Sequence, residues 1–132
     1  MLLVMYIQTL EKFEDDRGCL FPFDFSKIPF TPKRFFIVSD VPKGQMRGDH
    51  AHHKTEQFLV CLKGSIEVIL YAAGSHRTFT LQSMQGVYVP NLVWDSQVFK
   101  TGKDVLLVLA STDYDRDDYI ESLSLFEELS ND

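Results

Sequence analysis

Short segments rich in β-forming residues run through most of this chain: LVMYIQTL, RFFIVSD, QFLVCLKG, SIEVILY, HRTFTLQ, GVYVP, SQVFK and DVLLVLAS. Gly, Pro, Asp or Asn separates them at intervals of roughly ten residues, the spacing of an all-β sandwich or barrel. Residues 63–65 (KGS) and 71–77 (YAAGSHR) read as hairpin turns, and Pro90 falls at a strand end, where its missing N–H is tolerated. The chain has 132 residues, enough for one domain with a real core, and no repeat or linker divides it, so residues 1–132 read as a single domain.

Only the tail carries a helical period. In residues 115–129 the apolar side chains Tyr119, Ile120, Leu123, Phe126 and Leu129 recur at three- and four-residue spacing, and Asp113, Asp115, Asp117 and Asp118 offer caps and favourable charge at a first turn. The expected fold is therefore all-β, roughly ten strands in a double-sheet jelly roll, closed by a C-terminal helix.

Charge and cysteine usage narrow the function. A formal charge of -6 argues against a nucleic-acid backbone as partner, while leaving room for a small anion held by local arginines. Cys19 and Cys61 form no framework or CxxC pair and are expected to be small buried hydrophobes in a reducing compartment. The start, MLLVMYIQTL, has neither the basic region nor the cleavage site of a secretion signal, and its apolar run is too short to span a bilayer. A cytoplasmic protein without membrane partners is the expectation.

The stretch RGDHAHHKTEQ, residues 47–57, puts three histidines within four positions of a chain that holds four. On a strand, His50 and His52 share one face, while Asp49, Ala51 and His53 take the other. Unperturbed imidazoles titrate near pH ~6.5, so an inward pair supplies acid and base at neutral pH. His53 and His76 each stand alone and read as surface residues.

GQMRGDHAHHKTEQFLVCLKG looks like the first motif of the cupins, with Gly44, His50-x-His52 and Gly64 in place, and GVYVPNLVWD is similar to the second. Leu92 replaces the usual glycine there, and Asp95 stands where a metal-binding cupin has its last histidine. Glu56 is one residue early for the preferred acidic ligand and the neutral Gln57 fills the later position, so a divalent cation would have His50, His52 and Asp95. A more specific resemblance covers nearly the whole chain. DDRGCL, IPFTPKRFFIVSD, RGDHAHHKTEQ, CLKGS, YVPNLVW and LVLASTDYDRDDYI, in that order, resemble the bacterial sugar-nucleotide 3,4-ketoisomerases, small cupins acting on dTDP-4-dehydro-6-deoxy-D-glucose. Relatives commonly carry tyrosine in the strand where this chain has Phe36 and Ile37, and many have His or Arg at the position of Asp95.

The resemblance implies a cupin that needs no metal or other cofactor and moves a carbonyl from C4 to C3 through an enediol. That is general acid/base chemistry beside a developing oxyanion. His50 and His52 are the candidate proton shuttles. Asp95 is either a third ionisable group or a partner that raises imidazole basicity. Arg47 is a candidate for holding pyrophosphate or enediolate, and Gln57 for a sugar oxygen. Arg17 either closes a hairpin with Gly18 or approaches the sugar nucleotide. Tyr88 and Trp94 either stack on thymine or sugar or belong to the core. The resemblance further implies a homodimer whose amino-terminal strands add to the partner's sheet. It also implies the product dTDP-3-dehydro-6-deoxy-D-galactose, feeding an aminotransferase that makes a 3-amino-3,6-dideoxyhexose for surface glycans. Two rivals stand beside it: a metal-dependent cupin using His50, His52 and Asp95, and a noncatalytic sugar-nucleotide binding module.

Overall fold

The computed structural model describes residues 5–130, so the first residues of LVMYIQTL lie outside the described residues. Twelve strands are found there: β1 (Ile7–Thr9), β2 (Phe13–Asp15), β3 (Gly18–Leu20), β4 (Arg34–Ser39), β5 (Met46–His52), β6 (Gln57–Lys63), β7 (Ser65–Ala72), β8 (Ser75–Gln82), β9 (Gln85–Val89), β10 (Trp94–Phe99), β11 (Val105–Ala110) and β12 (Tyr119–Ile120). One helix, α1 (Leu123–Ser130), follows them. A first sheet runs β1-β9-β6-β11-β4, a second runs β12-β5-β10-β7-β8, and every pairing is antiparallel. This is the expected jelly roll. No helix among the described residues is long and apolar enough to cross a membrane.

Alternation builds the core between the sheets. Along β7, Ile66, Val68, Leu70 and Ala72 are buried while the residues between them are half-exposed. They meet Leu59, Cys61, Val87, Leu106 and Val108 of the facing sheet in one apolar cluster. Phe58 and Val60 point the opposite way, onto Ile28 and Phe23 at the outside of the first sheet. Strand β6 thus carries two cores on its two faces, and its central residues are all buried.

Three expectations change. KGS is not a hairpin turn, because β6 and β7 lie in different sheets and Gly64 carries the chain from one to the other. It does so with φ +91°, and a β-carbon there would lie 2.1 Å from an Asp104 carboxylate oxygen. That carboxylate accepts from the Ser65 amide at 2.8 Å and the Thr101 amide at 2.9 Å, fastening the crossing. Turn residues alone do not say which sheet the next strand joins. The tail, secondly, is helical only from Leu123. Tyr119 and Ile120 pair with His52 and Ala51 as an added edge strand, and Asp115 caps a single turn of 3-10 helix at Arg116–Asp118. Pairing to β5 and burial of Ile120 override a helical period that was real in the sequence. Within α1 itself only Phe126 is buried. Cys19, thirdly, is exposed against Glu14, whereas Cys61 is buried as expected.

Candidate active site

Strand β5 delivers both histidines, and a bulge decides how. Asp95 of β10 lies opposite His50, but the next pair along is Ser96 with Gly48, so Asp49 is an extra residue on β5. Gly48 and Asp49 take up that residue with φ of +83° and +65°. Glycine is favoured at 48 by its positive φ, and a β-carbon there would also have to displace the Gln97 side-chain amide, which it would meet at 2.9 Å. Beyond the bulge, His50 turns into the cleft between the sheets and Ala51 turns out, onto Trp94, Ile120 and Phe126. The bulge also shifts the alternation upstream, so Arg47 lines the same cleft as His50. Strict alternation would have set those two on opposite faces.

The two imidazoles stand edge to face, ring centroids 4.9 Å apart at 88°. Donor atoms of His50, His52 and Asp95 all lie within 4.8 Å of one another, close enough to share a proton network or to bracket one ligand atom. Two of these groups are left wanting a partner: His52 Nε2 and one Asp95 carboxylate oxygen are buried without a hydrogen bond among the described residues. The other Asp95 oxygen accepts from the Gln97 amide. Unpaired buried polar atoms cost stability, and their clustering here marks where a ligand's polar atoms would sit.

Burial sets the protonation states. It pushes His52 down from 6.5 to about 4, helped by His50 and Arg34 and opposed by Asp118, so the His52 imidazole is neutral at pH 7. Burial raises Asp95 to about 6, with Asp49 adding to it and His50 and Gln97 working against it. An imidazole and a carboxyl with displaced proton affinities in one cleft are equipped for general acid/base work.

The cleft is lined on the facing sheet by Phe36, Val38, Gln57, Leu59, Leu106 and Val108. Gln57, at the start of β6, is buried and points in with Leu59. The open space is about 80 Å³. That falls well short of the roughly 300 Å³ of an ordinary small-molecule pocket, so it admits the reacting edge of a ligand and not a whole nucleotide.

Of the expected site residues, the fold brings together His50, His52, Asp95, Arg47 and Gln57. It sends the other three elsewhere. Trp94 turns outward into the cluster with Ala51, Ile120 and Phe126, its indole N–H donating to Asp49 at 3.3 Å. Tyr88 lies on the outer side of the first sheet beside Phe30 and donates its hydroxyl to Glu56 at 2.5 Å. Both belong to packed outer layers in this chain, because each sits one residue out of phase with the inward positions. Arg17 occupies the tip of the β2–β3 hairpin, bound to Asp15 at 2.6 Å and with its side chain 90% exposed. Gln97 and Tyr119 are additions that sequence reasoning missed. Two-residue spacing from Asp95 was the available signal for Gln97; Tyr119 was hidden inside the helical period.

Two antiparallel sheets with an inward His-x-His strand define the cupin class of jelly rolls. The chain belongs to the family described as FdtA: WxcM-like, C-terminal, whose model matches residues 4–131. It is 40% identical over 121 residues to the TDP-4-oxo-6-deoxy-alpha-D-glucose-3,4-oxoisomerase of Aneurinibacillus thermoaerophilus, covering 90% of this chain and 87% of that one. The sugar 3,4-ketoisomerase of Thermoanaerobacterium thermosaccharolyticum, solved in complex with TDP, superposes with a TM-score of 0.91 at 33% identity, over 99% of this chain and 97% of the other. A His-to-Asn variant of the same enzyme, solved with TDP-4-keto-6-deoxyglucose, matches with TM-score 0.91 at 32% identity, over 99% and 96% of the two chains.

Proposed function

We propose that this chain is an isomerase, a TDP-sugar 3,4-ketoisomerase, converting dTDP-4-dehydro-6-deoxy-D-glucose to dTDP-3-dehydro-6-deoxy-D-galactose. The observation that carries the reaction is the neutral, buried His52 beside His50 and Asp95, with polar atoms of His52 and Asp95 left unpaired. Kinship with 3,4-ketoisomerases supplies the substrate class. A base takes the proton from C3 to give an enediolate across C3 and C4, the proton of the C3 hydroxyl passes to the former C4 carbonyl oxygen, and a proton returns at C4 as the C3 oxygen becomes the carbonyl. The histidine pair serves the carbon and oxygen protons, Asp95 tunes or relays them, and Gln57 holds a sugar oxygen. No oxidant or reductant enters the balance. We assign no metal or other cofactor: the neutral Gln57 stands at the remaining cupin ligand position.

The small cleft leaves the nucleotide outside, toward Arg47. We assign a homodimer, because the apolar outer face of the first sheet exposes Phe25, Phe35 and Ile37 at 52%, 65% and 53%. Strand β1 pairs with β9 of its own chain, and among the described residues nothing pairs with its other edge, which suits it to a second sheet. The β2–β3 hairpin, all six strand residues exposed, is a free-standing arm that needs something to pack on. On this reading Arg17 reaches sugar nucleotide from that arm, while Trp94 and Tyr88 keep their packing roles. The short Asp95 leaves room on its side of the sugar, which favours reprotonation to the galacto product. Such a product suits a 3-aminotransferase for glycan sugars.

One experiment tests the assignment. Purified protein is followed by NMR with dTDP-4-dehydro-6-deoxy-D-glucose in D₂O. Deuterium at C4 and a small H4–H5 coupling measured on a parallel sample in H₂O are expected. No turnover overturns the ketoisomerase reading, and a large coupling in the initial product overturns the galacto assignment.

A further inference from the structure

A phenol reaches the two histidines from the edge of the second sheet. Tyr119 of β12 lies opposite His52 in the strand pairing, and its ring closes on both imidazoles. Its centroid is 4.5 Å from that of His52 at 60° and 5.2 Å from that of His50 at 61°. The Tyr119 hydroxyl accepts from Arg34 Nη2 at 3.3 Å, and Arg34 Nε donates to the Thr112 carbonyl at 3.0 Å. Arg34 begins β4, the edge of the first sheet, and Tyr119 belongs to β12, the edge of the second. This one hydrogen bond therefore ties the two sheets across the open side of the jelly roll, next to the histidines. Rings of Phe36 and Tyr114 flank the guanidinium at 5.5 and 5.6 Å and limit its freedom.

We infer that Tyr119, tethered by Arg34, is a positioning residue that holds the His50–His52 pair in its edge-to-face arrangement. The inference rests on the ketoisomerase reading for its consequence in turnover, and on the geometry alone for its consequence in the imidazoles. Three rings in mutual contact leave each imidazole little room to rotate, and aromatic pairs favour tilted, edge-on contacts of this kind. Asp118 completes the support from behind. Its carboxylate accepts from the Lys54 amide at 2.7 Å and from Thr55, and its carbonyl accepts from the His53 amide at 2.9 Å, pinning the backbone that follows His52. Reaction rates depend steeply on such placement, since a displacement of about 1 Å costs up to about 100-fold.

The test compares wild type with Tyr119→Leu, which removes the wall, and Tyr119→Phe, which keeps the ring and cuts the tether. Tyr119→Leu is expected to lower kcat by roughly 10- to 100-fold with KM little changed, and Tyr119→Phe by roughly 3- to 10-fold. Imidazole ¹⁵N spectra of the same proteins give a readout that needs no turnover. Wild type should show one fixed tautomer for His52 and Tyr119→Leu a mixture of two. Unchanged kcat and unchanged imidazole signals in a folded Tyr119→Phe and Tyr119→Leu overturn the inference, as does a loss confined to KM. Should Tyr119→Leu fail to fold, the Tyr119→Phe pair of measurements decides. A wild type that is inactive on the sugar, together with the imidazole change in Tyr119→Leu, refutes the ketoisomerase reading and leaves the positioning role standing.

Discussion

Asp95 faces His50 across the β10–β5 pairing, one step from the bulge at Asp49. Where a metal-binding cupin sets its last histidine, this chain sets a buried carboxyl against an imidazole. The pair can exchange a proton without leaving the cleft, and it ties proton affinity in the site to the strand register itself.

Substitution of the two inward histidines should separate chemistry from fold. His50→Asn and His52→Asn are each expected to lower turnover by at least ~100-fold, the usual size of an acid/base contribution, with the melting transition retained. His53 and His76 are exposed, so His53→Asn and His76→Asn should leave turnover within about twofold of wild type. A loss at His53 equal to that at His52 would show that the assigned strand face is wrong.

The pH dependence of stability should be flatter than either buried group alone would make it. Asp95 titrates near about 6 in the fold against 3.8 ordinarily, so between those values the native state binds the extra proton and stability falls as pH rises. His52 titrates near about 4 against 6.5, so between those values the unfolded state binds the extra proton and stability rises with pH. The opposed slopes overlap through most of the same window. Asp95→Asn removes one of them, and its unfolding free energy should therefore decline more steeply than that of wild type as pH is lowered from 6.5 to 4. Urea titrations at a series of pH values measure this; parallel profiles for the two proteins would contradict it.

Turnover should survive chelation. With Gln57 neutral and Asp95 engaged by Gln97, the expected enzyme works by proton transfer between protein groups and sugar. Dialysis against EDTA should leave kcat unchanged, and elemental analysis should find far less than one equivalent of Zn, Fe, Mn or Ni. Activity lost to EDTA and restored by one of those ions would favour the metal-dependent alternative.

Light scattering at micromolar concentration should give twice the 15.2 kDa chain mass. Replacing Phe35 and Ile37 together by Glu puts charge on the exposed apolar face of β4 and should yield monomer, with circular dichroism unchanged. Arg17→Ala should raise KM for the sugar nucleotide while leaving the dimer intact. A wild-type monomer would contradict the assembly, and an unchanged KM would return Arg17 to the task of closing its hairpin.

The amino-acid sequence by itself determined the strand-rich jelly roll, the inward His50–His52 pair and the family. These rest on local period, turn chemistry and motif spacing, all short-range properties of the chain. Tertiary structure decided what lies across from what. Arg47 joins His50 only because the bulge at Asp49 breaks the alternation that a sequence reading must assume. Gly64 looked like a hairpin residue, yet it carries the chain between sheets, since a turn does not encode which edge or sheet the next strand will find. Tyr119 read as helix because its apolar spacing fits one, but pairing with β5 and the burial of Ile120 made it an edge strand and brought its ring to the histidines. Trp94 and Tyr88 carried the right chemistry for a sugar site and were turned outward by a single residue of phase. In a fold with a two-residue side-chain period, one residue separates the candidate site from the outer packing layers.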